Sequence, residues 1–193
     1  MTRVATIERS TKETRIALTL NLDGAGQASV QTGLGFLDHM LAALAKHARL
    51  DLKISCEGDL HVDDHHTAED CALALGQALD EALGDRSGIR RFGSAYAPLD
   101  ESLARVVVDL SGRPHAEIDL RLVRSSIGEI ASENIAHVFH SFAMASKTTL
   151  HVDVIRGLND HHKAEAAFKA LALALRDAVS VDGTGIPSTK GVL

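Results

Sequence analysis

The motif His-His-x-x-Glu occurs twice in this chain of 193 residues, at residues 65–69 and again at residues 161–165. A histidine precedes each copy by a similar interval, because His39 lies 26 residues before His65 and His137 lies 24 residues before His161. Corresponding positions of the two halves are therefore 96 to 98 residues apart. That period is too long for a solenoid and fits a duplicated half-domain. The sequence thus predicts two similar halves, fused and packed as one body.

The apolar pattern assigns the same order of elements, β-β-α-β-α, to each half. In the first half it predicts, in order, strands paired as a hairpin at 16–22 and 27–32, a helix at 37–44, a strand at 50–56 and a helix at 63–83. In the second half it predicts paired strands at 103–110 and 116–122, a helix at 135–142, a strand at 150–154 and a helix at 161–179. We therefore expect an α/β (α+β) fold with sheets backed by helices, in half-domains at residues 1–90 and 91–193.

Composition excludes several classes of function. A hydrophobic fraction of 45% and a charged fraction of 24% are typical of a soluble globular protein with a substantial core. The net charge of −6 and the aromatic content of 3% argue against a nucleic-acid surface, which needs basic stripes and stacking rings. No segment resembles a signal peptide or a membrane span, so we expect a cytoplasmic protein. Cys56 and Cys71 are too few for a disulfide framework.

The spacing inside the motif favours two metal ions over one. In a helix each residue turns about 100° around the axis, so His66 lies about 100° and Glu69 about 40° from His65. The two imidazoles diverge with the carboxylate between them, and one small ion cannot readily bind both. Eleven histidines in the chain supply enough nitrogen ligands for such sites.

Each half offers three imidazoles and one carboxylate, which divide evenly between two ions. The candidate ligands are His39, His65, His66, Glu69, His137, His161, His162 and Glu165. This donor set, which contains no thiolate, suits a borderline divalent transition metal. Four protein ligands on an octahedral ion leave two positions for water or substrate, which favours Mn²⁺ or Fe²⁺ over a closed structural zinc site. Spacing leaves open which ligands share an ion, and whether they come from one subunit or several.

Basic residues in loops form a second group of candidates. Arg91, Arg113 and Lys190 lie beside Gly, Pro or Ser, where side chains and free backbone N–H groups can hold a phosphate. The segment Ser-Thr-Lys-Gly at 188–191 has the most phosphate-like sequence of the group.

Four segments in fixed order resemble one known family. They read Gly-Phe-Leu-Asp-His-Met-Leu at 35–41, Asp-His-His-Thr-Ala-Glu-Asp at 64–70, Leu-Asn-Asp-His-His-Lys-Ala-Glu at 158–165 and Ser-Thr-Lys-Gly-Val-Leu at 188–193. Together they resemble imidazoleglycerol-phosphate dehydratase, a lyase of histidine biosynthesis, over nearly the whole chain. No added phosphatase segment accompanies them, so the resemblance is to the monofunctional form.

The resemblance implies a hydro-lyase that dehydrates D-erythro-imidazole-glycerol phosphate to imidazole-acetol phosphate. It implies two Mn²⁺ ions per active site, bound by the eight candidate ligands, and a metal-bound imidazolate that expels the neighbouring hydroxyl. It also implies homo-oligomers of 24 subunits with metal sites at subunit contacts. The implied catalytic residues are Glu13, His39, His65, Glu69, His161 and Glu165, and the implied substrate-binding residues are Glu13, His39, His65, Arg91, Arg113, Ser188 and Lys190.

Two other classes of protein would use the same ligands. A dinuclear phosphoesterase would form a metal-bound hydroxide and release inorganic phosphate, although such sites rely more on Asp oxygens. A metal-storage or metal-sensing protein would turn over no substrate. Helical di-iron storage proteins are bundles, and the alternating strands predicted here argue against a bundle.

Overall fold

Two four-stranded sheets and four helices dominate the computed structural model, which describes residues 3–191 and Leu193. The first half contains β1 (Val4–Ser10), β2 (Thr14–Asn21), β3 (Ala28–Gln31), α1 (Gly35–Ala48), β4 (Asp51–Gly58) and α2 (His65–Leu83). The second half contains β5 (Phe92–Leu99), β6 (Ser102–Asp109), β7 (His115–Asp119), the short strands β8 (Ser126–Ile127) and β9 (Ile130–Ala131), α3 (Ser132–Ala145), β10 (Thr149–Arg156) and α4 (Asp160–Ala178). The predicted α/β class with two similar halves is confirmed.

The strand pairing differs from the predicted hairpins. The segment predicted at 27–32 does form β3, but β3 runs parallel to β4 at the edge of the sheet instead of pairing with β2. The Asp51 carboxylate explains this path, because it accepts hydrogen bonds from the backbone N–H groups of Ala25 and Gln27 and so draws the segment towards β4. In the second half β7 likewise runs parallel to β10 and does not pair with β6.

The hairpin partners of β2 and β6 are β1 and β5, which the apolar pattern did not predict, and on their other sides β2 and β6 pair antiparallel with β4 and β10. β5 contains Gly93, Ser94 and Pro98, so its sequence reads as a linker. A strand of this composition is tolerated because β5 is an edge strand, where a proline N–H is not needed for the ladder. Apart from the short strands β8 and β9 of the second half, each half therefore follows the order β-β-β-α-β-α, one strand more than predicted.

The helices lie between the sheets and form one continuous core with them. Alternate residues of β2 and β6 are buried, so each of these strands turns one face towards the helices. α2 packs against β1 and β2, and α4 packs against β5 and β6. Across the molecule α2 contacts α3, and α1 contacts α4. Every helix of one half therefore has a partner helix from the other half. No helix in the described part of the chain is long and apolar enough to cross a membrane.

The α2–α3 contact depends on a glycine. A Cβ atom on Gly76 would lie 2.6 Å from the carbonyl oxygen of Phe142 and 2.8 Å from the Cβ of Ala145. Real Cβ atoms do not approach backbone this closely, so even one methyl group at this position must push the two helices apart. The close packing of the two halves therefore requires a residue without a side chain in α2.

We expect Gly76→Ala to destabilise the protein relative to Gly35→Ala. Overpacking a close contact costs about 1–3 kcal/mol, whereas a Cβ on Gly35 meets nothing within 4 Å. Urea denaturation followed by circular dichroism measures the difference, and the Gly35 variant controls for the helix propensity that alanine adds. Equal denaturation midpoints for the two variants would contradict the steric argument.

Candidate metal centres

Six of the eight predicted ligands form two clusters, and each cluster combines the two halves of the chain. The His65 cluster contains His65 and Glu69 from α2 with His137 from α3. The His161 cluster contains His161 and Glu165 from α4 with His39 from α1. Within each cluster one ligand atom per residue lies within 4.8 Å of the others. The helix pairs α2–α3 and α1–α4 thus determine which predicted ligands meet.

The distances within the His65 cluster suit a common ion. Nε2 of His137 lies 2.9 Å from one oxygen of Glu69, and Nε2 of His65 lies 3.8 Å from the other. The rings of His65 and His137 stack with their centroids 5.0 Å apart. Adjacent ligands on an ion with bonds of about 2.1 Å lie about 3 Å apart. The donor atoms are therefore spaced as ligands of one ion would be, after small side-chain rotations.

The His161 cluster has closely similar geometry. Oε2 of Glu165 lies 3.2 Å from Nε2 of His39 and 3.1 Å from Nε2 of His161. The other carboxylate oxygen forms a 2.7 Å ion pair with Lys169. Although burial raises the pKa of Glu165, its hydrogen bonds to Lys169 and His39 outweigh that effect and lower the pKa to about 2. Glu165 therefore remains an ionised oxygen ligand at any physiological pH.

His66 and His162 point away from both clusters. The planes of His65 and His66 are inclined by 73°, and those of His161 and His162 by 88°, so neighbouring rings diverge as helix geometry requires. Nδ1 of His66 lies 3.0 Å from Asp59. Because a hydrogen bond on Nδ1 orients the ring, Nε2 is left as the atom that can bind a metal ion.

His162 is held in the same way, through a contact to its Nδ1 atom. Nδ1 of His162 lies 2.7 Å from Oε2 of Glu101. Glu101 lies in the turn before β6, and its other oxygen accepts hydrogen bonds from the backbone N–H groups of Leu158 and Asn159. These bonds, the one from Asn159 first, lower the pKa of Glu101, and the hydrogen bond that His162 donates to Glu101 raises the pKa of His162. Each half thus presents one oriented imidazole to its surroundings.

Glu13 lies in the first half of the chain, beside His66. It occupies the turn between β1 and β2, with a side chain that is 51% exposed. One of its oxygens lies 3.7 Å from Nε2 of His66. The residue that the resemblance implies as an acid–base group is therefore close to a predicted metal ligand, at the surface of the molecule.

The phosphate-binding candidates lie together, but far from the clusters of the same chain. The backbone N–H of Arg91 donates to the carbonyl of Ala178, at the last residue of α4, and its guanidinium donates to the carbonyl of Pro187. Between His161 and Ala178, α4 rises about 25 Å. The turn containing exposed Arg113 also lies beside the C-terminal segment, because a Cβ on Gly112 would be 3.0 Å from Leu193. Ser188 and Lys190 belong to that segment, where the Ser188 hydroxyl accepts from the Lys190 N–H.

Arg91 has a partner that the sequence did not suggest. Its guanidinium forms two hydrogen bonds to Asp109, of 2.6 and 3.0 Å. Together with the bond to Pro187, these contacts anchor the C-terminal segment to the second sheet. Arg91 thus lies among the phosphate-binding candidates, but much of the hydrogen-bonding capacity of its guanidinium is taken up by Asp109 and Pro187.

Several neighbours of the predicted ligands were missed in the sequence, namely Asp59, Glu101, Asn134 and Lys169. None belongs to a repeated motif, and only Glu101 could have been found from the sequence. Glu101 lies in the β5–β6 turn, and Glu13 lies in the corresponding β1–β2 turn of the first half. An alignment of the two halves that included β1 and β5 would have paired these two carboxylates.

The fold and the paired clusters define an α/β protein built by duplication, with two candidate sites for a divalent metal. A family model described as imidazoleglycerol-phosphate dehydratase matches residues 32–175. The chain belongs to this family.

Similar proteins support the assignment over the whole length of the chain. The imidazoleglycerol-phosphate dehydratase of Phytophthora nicotianae is 65% identical over 192 residues, which are 99% of this chain and 42% of that longer protein. The Phaffia rhodozyma enzyme is 56% identical over 197 residues, covering 99% of this chain and 96% of its own length.

Two solved structures of the same enzyme have this fold. The structure from Staphylococcus aureus superposes with a TM-score of 0.84 and 36% identity, covering 93% of this chain and 99% of the other. The structure from Pyrococcus furiosus also gives 0.84 and 36%, covering 97% and 100%. The chain is accordingly a hydro-lyase of histidine biosynthesis. Nothing in these comparisons supports the phosphoesterase hypothesis.

Membership of the two clusters predicts which substitutions should remove the same metal ion. His65→Ala and His137→Ala should each remove the same ion, and the double variant should lose no more, because both side chains belong to one cluster. Combining His65→Ala with His39→Ala should remove both ions. Elemental analysis after dialysis against limiting Mn²⁺ measures the bound metal per chain.

The control for this series is His47→Ala, since His47 is exposed in the last turn of α1 and belongs to neither cluster. It should retain the wild-type metal content. If the His65/His137 double variant lost twice as much metal as either single variant, the assignment of the two side chains to one ion would be wrong.

Proposed function

We propose that the chain dehydrates D-erythro-imidazole-glycerol phosphate to imidazole-acetol phosphate, with two Mn²⁺ ions in each active site. The observation that carries this proposal is the pair of clusters, each with two imidazoles and one carboxylate within 4.8 Å. Such a donor set suits a borderline divalent metal. The thiols play no part in it, because Cys56 and Cys71 belong to neither cluster.

Each cluster supplies three ligands, one fewer than the sequence predicts for each ion. We propose that His66 or His162 of another copy provides the fourth. Nδ1 of these rings is held by Asp59 or Glu101, so Nε2 is the atom available to an ion, with a carboxylate oxygen of Glu13 or Asp100 at 3.7 or 3.9 Å. Four protein ligands then leave positions for the imidazole of the substrate.

The position of the phosphate-binding candidates also favours sites shared between copies. Arg91 contacts the far end of α4, about 25 Å along the helix from His161. A substrate that spans only a few bonds cannot contact both in one chain. We therefore propose a closed homo-oligomer, of 24 subunits by family resemblance, in which one copy supplies the metal ligands and another supplies Arg91, Arg113, Ser188 and Lys190.

The residues of the chain divide the reaction between them. When bound, the metal ions supply positive charge that makes an imidazole ring easier to deprotonate. The cluster histidines and carboxylates hold those ions, and the basic residues hold the phosphate. Glu13 is exposed beside His66, where its carboxylate can move a proton to or from the substrate carbon or hydroxyl. Because the family is one of soluble biosynthetic enzymes, we also propose a cytoplasmic location.

Turnover and metal content together test the proposal. The Mn²⁺-loaded protein should convert imidazole-glycerol phosphate to a ketone that keeps its phosphate, and dialysis against EDTA should abolish turnover until Mn²⁺ is restored. Mass spectrometry of the product and a colorimetric phosphate assay distinguish the outcomes. Release of inorganic phosphate without a ketone would refute the dehydratase assignment, and full activity in the chelated protein would refute the metal requirement.

Co-expression of two defective chains tests the shared site. If the metal ligands and Arg113 of one active site come from different copies, hybrids of His65→Ala and Arg113→Ala chains contain some intact sites, about a quarter for random mixing of a symmetric assembly. Activity is measured at low substrate concentration, because loss of Arg113 should mainly raise KM.

The matched control co-expresses His65→Ala with His137→Ala. These side chains belong to one cluster of one chain, so every His65 cluster in the hybrid is damaged and no activity should return. Equal recovery, or equal lack of recovery, in the two hybrids would contradict the proposed division of the site between copies.

A further inference from the structure

We propose that Asn134 is a positioning residue that fixes the tautomer of His65 and makes the two metal sites unequal in affinity. This inference rests on the proposed metal sites and goes beyond them. Asn134 lies in the first turn of α3, three residues before His137, and is only 6% exposed. It belongs to the second half of the chain, whereas His65 belongs to the first.

The carboxylate of Asp64 determines the orientation of the Asn134 carboxamide. One oxygen of the Asp64 carboxylate accepts from the backbone N–H of Ala131 at 2.7 Å and from Nδ2 of Asn134 at 3.0 Å. A carboxylate accepts and does not donate, so the NH₂ group of Asn134 must face Asp64. Its carbonyl oxygen is consequently turned towards His65.

The orientation of Asn134 then determines the proton position on His65. Nδ1 of His65 lies 2.8 Å from Oδ1 of Asn134, an atom that can only accept. The neutral ring must therefore carry its proton on Nδ1 and keep its lone pair on Nε2. Nε2 is the atom that faces Glu69 in the cluster. His65 is thus held in the tautomer and orientation that metal binding requires.

The other cluster has no such arrangement at the corresponding position. His39 corresponds to His137 in the repeat, so the residue three positions earlier, Phe36, corresponds to Asn134. Phe36 packs edge-on against His161, with ring centroids 5.1 Å apart and planes inclined by 71°. A phenyl ring accepts no ordinary hydrogen bond, and no other group within residues 3–191 and Leu193 bonds Nδ1 of His161. The His161 ring is positioned by packing and by the carboxylate of Glu165 on Nε2, and no acceptor on Nδ1 favours the tautomer that metal binding requires.

The difference predicts an order of metal binding. A hydrogen-bond acceptor on the remote nitrogen orients a ligating histidine and raises its basicity, and loss of such a partner typically weakens metal binding by about 10–100-fold. The His65 site should therefore bind its ion more tightly and fill first, and the His161 site should fill second.

Titration of the chelated wild-type protein with Mn²⁺ tests the inference, with free Mn²⁺ measured from its electron paramagnetic resonance signal. Wild type should show two classes of site in equal number. Asn134→Leu should weaken the tighter class by about 10–100-fold and leave the weaker class unchanged. A general structural defect would weaken both classes together, so this selectivity identifies a positioning role.

The matched control is Phe36→Leu, which changes the corresponding residue in the other half and should leave the tighter class unaffected. Asn134→Ser removes the same hydrogen bond with a smaller side chain and is the variant to use if Asn134→Leu does not fold, as judged by circular dichroism. If two classes bind but neither variant of Asn134 weakens the tighter one, or if both classes weaken equally, the inference is wrong. If wild type binds no Mn²⁺, the proposed metal function itself fails.

Discussion

The packing of helices from opposite halves is the interaction on which the rest of the molecule depends. α2 lies against α3 and α1 against α4, and both candidate clusters form across these contacts. Glu69 and Glu165 each bring together an imidazole from their own helix and one from the other half. Neither half contains a complete cluster. Docking of the halves and assembly of the metal ligands are therefore a single event, and Gly76 is needed because the docking distance is so short.

The same helices also keep the clusters apart from the phosphate-binding candidates. α2 and α4 carry their clusters at their N-terminal ends, and each has 19 residues, or about 28 Å of helix. Arg91 contacts the last residue of α4, and Arg86, just beyond α2, lies beside Gly112. A single chain thus presents candidate metal ligands at one end and basic loops at the other. If both groups serve one small substrate, as proposed, this separation is a physical reason for the chain to assemble with other copies.

Local patterns predicted much of the structure, and long-range relations were the part they missed. All four helices and the candidate ligands were predicted from apolar periodicity and from the repeated motif. Both patterns depend only on residues that lie close together in the sequence. The partner of β3 depended on Asp51, which captures the preceding loop from 24 residues further along the chain. The division of ligands between clusters depended on helix docking. Asn134 gave no signal, since its role exists only through Asp64 and His65, about 70 residues away.

Duplication explains why there are two sites, but it does not require them to remain alike. The cluster residues are the same in both halves, so a difference between the sites must come from the residues that support them. The position three residues before His39 and His137 is such a place, with Phe36 in one half and Asn134 in the other. A substrate with one imidazole ring and one reacting side chain is itself asymmetric, and its two ring nitrogens need not meet equivalent ions. Divergence around clusters of the same residue types is therefore the simplest route by which a symmetric pair of sites acquires two distinct tasks.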